Sequence, residues 1–331
     1  MSSKFLVIQT AFIGDVILAT SVAEKLHRFF PKAQIDFLVR KGNESLFDGH
    51  PFIRKVLIWD KKKNKNRNLK RLLRVVKTEH YDVVVNCHRF ASSGILTMMS
   101  GANERIGFLK NPFAFSFSVR KKHVITKKSG ASFIHEIDRY NSLIEHLTDQ
   151  SRQLPALYPT KKDFESVNSW LNQPFITISP ASIWFTKQTP PDVWIRFIQN
   201  QDRQVYLLGG PSDVALCTQI QAACPNNKVE ILSGKLSFLQ SAALMKSAVM
   251  NYTNDSAPLH LCSAVQAPVA AVFCSTIPEF GFGPLSDRSI VVQSHETLPC
   301  KPCGLHGHKT CPQGHFKCSR IDINELLRAA P

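Results

Sequence analysis

The chain reads as an α/β protein with two domains, each a parallel sheet flanked by helices, and three observations predict this. Short apolar runs alternate with amphipathic stretches along the whole sequence, as strands do when crossover helices join them in parallel. The second half repeats the plan of the first. Between the halves, Gln153-Leu154-Pro155-Ala156-Leu157-Tyr158-Pro159 is a proline-bearing linker. A chain of 331 residues is long enough for two separate cores. The expected domains are residues 1–152 and 160–331.

In the first half, Lys4-Phe5-Leu6-Val7-Ile8-Gln9 is a buried strand by composition. Val16 to Phe30 follows as a helix, because Ile17, Val22, Leu26 and Phe29 fall roughly on one face. Between them lies Thr10-Ala11-Phe12-Ile13-Gly14-Asp15. Gly14 lets another group approach the backbone closely, and Asp15 stands at the helix entrance. Asp15 fits two roles: a helix cap, or a catalytic carboxylate at the carboxyl end of a parallel strand. Further strands are expected at Ile35–Val39, Val56–Trp59, Val83–Asn86 and near His123–Ile125. A basic helix is expected over Leu69–Lys77, and a long one, Ile134–Leu147, closes the half.

In the second half, strands are expected at Phe175–Ser179, Val205–Gly209, Glu230–Leu232, Ala248–Tyr252, Val269–Phe273 and Ser289–Val292. Helices fall over Asp163–Leu171, Asp192–Gln199, Asp213–Ala222, Ser237–Lys246 and Pro258–Val265. The polar loop after the first strand holds Lys187. Such a lysine is either simply solvated or meets a phosphate as a point charge. Gly209-Gly210-Pro211 serves equally as a strand-to-helix turn or as a wall for a nucleotide base or ribose. Asn254-Asp255-Ser256-Ala257-Pro258-Leu259-His260-Leu261 opens a helix, with Asp255 or Ser256 as cap and Pro258 in the first turn. An ordinary capped helix accounts for this pattern. So does a phosphate held on the unsatisfied N–H groups, with a carboxylate and an imidazole reading the attached sugar. Thr276 to Gly283 is a Pro/Gly/Phe-rich loop that could close over a bound donor.

Several classes are disfavoured. No Gly-x-Gly-x-x-Gly follows the first strand, against a dehydrogenase, and Val229 occupies the upstream glycine position that a P-loop at Ser233-Gly234-Lys235 needs. No apolar run approaches the roughly 18 residues that cross a bilayer. Met1-Ser2-Ser3-Lys4 leads straight into a strand, unlike a signal peptide, so a cytoplasmic location is expected. Cys87, Cys217, Cys224, Cys262 and Cys274 are scattered through core elements as small apolar side chains. The tail Cys300-x2-Cys303-x7-Cys311-x6-Cys318, with His306, His308 and His315, fits a structural zinc knot, packed thiols or a disulfide.

The net charge of +16 is uneven, since residues 1–150 hold 26 Lys/Arg against 13 Asp/Glu. A basic half is either a solubilising surface or a face for an anionic partner. Two clusters stand out: Lys61-Lys62-Lys63-Asn64-Lys65-Asn66-Arg67 with Lys70, Arg71 and Arg74, and Arg120-Lys121-Lys122 with Lys127-Lys128. Neither interleaves the aromatics of a single-strand nucleic-acid platform.

The Gly14-Asp15 loop, the Ser179 to Lys187 loop, Leu232-Ser233-Gly234-Lys235-Leu236-Ser237-Phe238, Asp255-Ser256 to His260 and Pro268-Val269-Ala270-Ala271-Val272-Phe273 share an order and spacing with a known family. With His135-Glu136 and the cysteine-rich tail, they resemble glycosyltransferase family 9, which includes the ADP-heptose:lipopolysaccharide heptosyltransferases. The resemblance covers nearly the whole chain. It departs at Ala257-Pro258, where a glycine is common, and before Gly14, where arginine and serine residues are common.

The resemblance implies a GT-B architecture, two Rossmann-like domains whose parallel sheets face a central cleft. It implies inverting, metal-independent transfer of a heptose from ADP-heptose to the lipopolysaccharide inner core, on Kdo-lipid A or a heptosyl acceptor. Asp15 and Lys187 are then catalytic, and Ser182, Thr186, Lys187, Gly209, Gly210, Asp255, Ser256, Ala257 and His260 contact the donor. The first domain takes the anionic lipid-linked acceptor and the second the nucleotide sugar. No cofactor, metal or nucleic acid is expected, and the enzyme works peripherally at the cytoplasmic face of the inner membrane. The alternatives are a transferase for another nucleotide sugar and a basic nucleic-acid-binding protein.

Overall fold

The computed structural model describes residues 3–126, 133–225 and 228–329. They form two compact units. One runs to Val124 and includes Glu136–Tyr158; the other combines Ile125–His135 with the chain from Pro159 onward. His135 belongs to the second unit because it is buried there, with Nε2 3.1 Å from the carbonyl of Gly283.

The first unit contains β1 (Lys4–Ile8), α1 (Ile13–Phe29), β2 (Gln34–Arg40), β3 (Ile53–Trp59), α2 (Lys65–Thr78), β4 (Val83–Asn86), α3 (Ala91–Met98), β5 (Glu104–Phe108), β6 (Val119–Lys121) and α4 (Glu136–Leu143). Among the described residues its strands are all parallel, in the order β3-β2-β1-β4-β5-β6. Leu6, Ile8, Leu38, Trp59 and Val84 from the sheet bury Leu72 and Val76 of α2 and Leu96 of α3. The chain steps outward from β1 to β3, then restarts beside β1 at β4. Loops leaving β1 and β4 therefore diverge, and the crevice at such a switch point is where open α/β sheets bind ligands.

Three local features differ from the sequence expectation. β5 was not anticipated, because Gly107 interrupts its short apolar run; a Cβ there would meet the Phe117 ring at 2.5 Å. The strand expected near His123–Ile125 lies instead at Val119–Lys121, paired to β5. The helix expected to reach Leu147 ends at Leu143. Asn141 turns back on Ile137 O at 2.6 Å and exchanges bonds with the Gln153 backbone, so side-chain hydrogen bonds compete with further helix.

The second unit opens with α5 (Lys161–Val167). It continues through β7 (Phe175–Ser179), α6 (Pro191–Gln199), β8 (Gln204–Leu207), α7 (Val214–Ala222), β9 (Val229–Ile231), α8 (Phe238–Ser247), β10 (Met250–Asn254), α9 (Ala257–Val265), β11 (Val269–Val272), β12 (Ser289–Val292) and α10 (Ile323–Ala329). Its described strands are also parallel, ordered β12-β11-β10-β7-β8-β9, with the switch point between β7 and β10. Trp194 and Phe197 of α6 fill the core against Tyr252, whose ring is 4.5 Å from that of Phe197. The Tyr252 hydroxyl donates to Leu326 O at 2.9 Å and so ties down α10, an element not among those expected above. β10 begins later and ends later than expected. The strand accepts Asn251 because that side chain is fully paired, with Thr177, Met245 O and Pro268 O. No described helix is long and apolar enough to cross a membrane.

One buried charge shows how the first sheet is held. Asp36 in β2 is wholly buried, takes a two-pronged contact from Arg54 at 2.9 and 2.5 Å, and accepts from Tyr81 at 2.5 Å. Arg54→Met removes the counter-ion and leaves the carboxylate inside the sheet. The expected loss is about 3 kcal/mol, read as a lower urea midpoint at unchanged slope.

Candidate active site

At the switch point of the second sheet, β7 and β10 run side by side, with Ser179 opposite Thr253. The Asn254 side chain ties the loop leaving β7 to the end of β10. Asn254 is wholly buried; its Oδ1 accepts from Thr189 N at 2.9 Å and from Thr189 Oγ1 at 2.7 Å, and its Nδ2 donates to Pro180 O at 2.8 Å. Asn254 therefore clips both ends of the 180–189 loop to β10. The tip of that loop is a short 3-10 turn, Phe185–Lys187. From it, Lys187 places Nζ 2.6 Å from Asp255 Oδ2, an oxygen that also accepts from Thr276 Oγ1 at 2.6 Å. Only 14% of the lysine side chain and 7% of the aspartate side chain meet solvent, so this charge pair works in a poorly screened setting.

The helix that follows is not capped in the expected way. α9 starts at Ala257 with Ser256 in the cap position, yet no side chain makes the cap bond. Ser256 Oγ instead approaches Asn254 O at 3.4 Å, and Asp255 is committed to Lys187 and Thr276. The positive end of the helix thus lies next to a lysine, an arrangement that favours an anion. His260 is buried one turn in. Burial pushes its imidazole down to about 4; the Asp255 charge opposes this, and His135 and Lys187 add to it. Its Nδ1 has no hydrogen-bond partner among the described residues. At neutral pH the ring is uncharged and able to exchange a hydrogen bond with a sugar hydroxyl.

Lys187, Asp255, Ser256, Ala257 and His260 are thus brought together. Ser182 shapes the same loop, its N–H donating to Gln188 Oε1 at 3.2 Å. Thr186 is buried and its hydroxyl faces the carboxyl-terminal tail, accepting from His308 N at 2.8 Å and Ser275 Oγ at 3.0 Å. Gly209 and Gly210 end the neighbouring β8 in a turn closed by Asp213 and Ser233. Gly210 N donates to Asp213 Oδ2 at 2.8 Å, and a Cβ on Gly209 would meet Asp213 Oδ2 and Ser233 Oγ at 2.8 Å. The strand-to-helix turn accounts for both glycines. Asn254 and Thr276 were missed from sequence. The one signal for Asn254 was its place at the head of the 254–261 stretch, and for Thr276 its place at the head of the 276–283 loop.

Asp15 belongs to the first unit. It is the third residue of α1, half-buried, while Phe12 holds the cap position without a side-chain bond. The carboxylate is therefore no N-cap. Around it stand the ends of the adjacent strands. Lys61 Nζ donates to Thr10 O at 2.7 Å and lies 4.7 Å from the Trp59 ring, and His88 Nδ1 is 3.2 Å from Thr10 Oγ1. Arg40 stacks on Phe12 at 4.8 Å and feels the Asp15 charge. Lys61, expected as part of a surface cluster, is thus turned toward the β1 loop. Lys62, Lys63, Arg67, Lys70, Arg71, Arg74 and Lys77 do form an exposed basic face on and before α2. Lys127, Lys128 and the Lys65 side chain lie outside the described residues.

In the tail, all cysteines are free, and among the described residues no three His, Cys, Asp or Glu are placed to share a metal ion. The five cysteines expected in the core are buried.

The family model of glycosyltransferase family 9 (heptosyltransferase) matches residues 69–315. The chain belongs to that family. It is a glycosyltransferase, and its two Rossmann-like sheets are those of the GT-B class. Lipopolysaccharide heptosyltransferase 3 of Escherichia coli is 25% identical over 80% of this chain and 80% of its own length. The glycosyl transferase family 9 structure from Veillonella parvula superposes with a TM-score of 0.82 at 20% identity, covering 99% of this chain and 96% of that one. E. coli ADP-heptose lps heptosyltransferase II gives 0.77 at 18% identity, covering 98% and 97%.

The buried His260 makes stability depend on pH. Its imidazole has a lower pKa in the folded chain than the 6.5 of the free group, so the unfolded chain takes the proton first. Stability is retained above about pH 6.5 and lost as the pH falls toward 4, on the order of 3 kcal/mol from this group. His260→Gln should remove that share. Denaturation curves of the two proteins from pH 7 to 4 should show the wild type losing more stability than the variant, with the difference growing below pH 6.5.

Proposed function

We propose that this enzyme moves a heptose from ADP-heptose to the lipopolysaccharide inner core, with inversion and without a divalent metal. The observation that carries the reading is the Lys187–Asp255 pair at the uncapped start of α9. A lysine and a helix amino terminus side by side supply the positive charge that a departing nucleoside diphosphate needs. The names of the E. coli relatives support the donor and the acceptor class.

The reaction is a single displacement. The acceptor hydroxyl oxygen forms a bond to the anomeric carbon while the bond from that carbon to the diphosphate oxygen breaks, and its electron pair leaves with ADP. Lys187 and the α9 amides take up the charge that grows on the diphosphate. Asp255 orients Lys187, and neutral His260 contacts the sugar or its ribose. Asp15 receives the hydroxyl proton. The hydroxyl turns acidic only as its new bond forms, so a late proton transfer suffices.

Asp15→Asn keeps the shape and removes the base. Turnover should fall at least a hundredfold, within the 10²–10⁴ range of general-base catalysis, at unchanged thermal midpoint and donor affinity. A fully active Asp15→Asn overturns the assignment. Calorimetric titration with a panel of nucleotide sugars tests the donor; tighter binding of a sugar other than ADP-heptose corrects it.

The exposed basic face of α2 supports docking on the anionic inner-membrane surface. Each lysine or arginine near such a surface contributes about 1 kcal/mol, so four or five suffice for transient attachment. Co-sedimentation with vesicles containing anionic phospholipid should weaken steeply with salt. It should fall when Lys62, Lys63, Arg67 and Lys70 become glutamine, and unchanged binding rules this face out.

A further inference from the structure

The cysteine-rich tail lies against the stem of Lys187. Thr186, the residue before it, is fastened there from several sides. Its N–H donates to His308 O at 3.1 Å, its hydroxyl accepts from His308 N at 2.8 Å and Ser275 Oγ at 3.0 Å, and its carbonyl accepts from Ser275 N at 3.2 Å. Cys303 N donates to Ser275 O at 2.8 Å, which closes the tail onto the same point. On the other side of Thr186, the Phe185 ring packs 5.0 Å from that of Phe316. Gly307 touches this knot with φ at +73°. A Cβ on it would lie 2.9 Å from Lys187 Cγ and 3.0 Å from Thr186 Oγ1. Thr186 is held, so the lysine stem would have to move. Gly314 shares the left-handed backbone, at φ +69°, but among the described residues nothing lies within 4 Å of such a Cβ.

We propose that the tail is a mould that aims Lys187, with Gly307 as its positioning residue. The missing side chain at 307 lets the lysine stem lie flat against the tail, which sets Nζ on Asp255 and, during transfer, on the departing diphosphate. A lysine stem has many rotamers, and a wall along one side removes some of them before the substrate arrives. Charge fixed in advance stabilises a transition state better than charge that must be ordered during the reaction. The inference rests on the role given to Lys187 above.

The test compares three variants by steady-state kinetics with ADP-heptose and by titration with ADP. Gly307→Ala should lower kcat by about tenfold or more and weaken ADP binding, as expected for a displaced catalytic group. Gly314→Ala carries the same left-handed strain without the contact, so it should lose similar thermal stability and keep kcat within about twofold. Lys187→Ala/Gly307→Ala should be no slower than Lys187→Ala alone, because the glycine acts through the lysine. Should Gly307→Ala not fold, Gly307→Asn brings a Cβ to the same contact with a residue that tolerates left-handed backbone. Equal kinetics for the Gly307 and Gly314 variants, or losses that multiply in the double variant, overturn the mould while leaving Lys187 in its role. Wild-type kinetics in Lys187→Ala remove the role of Lys187 and the mould with it.

Discussion

The second unit is organised around an ion pair that is almost out of water. Bringing Lys187 and Asp255 to 2.6 Å with so little exposure costs desolvation on both sides. The surroundings offset that cost. Thr276 satisfies the same carboxylate oxygen, the Asn254 amide holds the lysine loop at both ends, and the tail braces Thr186 from behind. A buried pair of this kind is a weak source of stability and a good means of fixing position. What it fixes is a positive charge beside a helix start, where an anionic leaving group can use it.

The two units reach similar arrangements from the same topology. In each, the chain steps away from a central strand and later restarts on its other side. Loops at the carboxyl ends of β1 and β4, and of β7 and β10, are thereby left to diverge and carry polar groups. The first unit places His88 on the β4 loop and Asp15 in the first turn of α1 behind the β1 loop, with Lys61 reaching in from the β3 loop; the second places Lys187 and Asp255 on the loops themselves. The contents differ in a way that suits different partners. The aspartate of the first unit interacts with the Arg40 charge, and burial drives His88 down to about 3, with Lys61 and Arg89 adding to it. The second unit sets Lys187 beside the start of α9 and a neutral imidazole.

Much of this was legible in the residues. Alternating apolar runs and amphipathic stretches depend on local periodicity, so the order of strands and helices, the two-domain plan and the core cysteines could all be read directly. Motif order pointed to the family and to Lys187, Asp255 and His260. Where local pattern was weak, the reading failed: Gly107 hid β5, and Asn141 ended α4 early through side-chain bonds that no period reveals. The cap expected at α9 failed for a related reason. Capping propensity belongs to residue types, but Asp255 is claimed by a lysine from another loop.

Tertiary structure alone decided which distant groups meet. Thr189 and Asn254 are 65 residues apart and bond directly, because parallel pairing of β7 with β10 sets their loops side by side. The same holds for Thr186 and His308, 122 residues apart, whose bonds turn a cysteine-rich tail into a wall for Lys187. Sequence determines periodicity and residue type, which are local properties. The site depends on contacts across the sheet's switch point, and these exist only once the strands have paired.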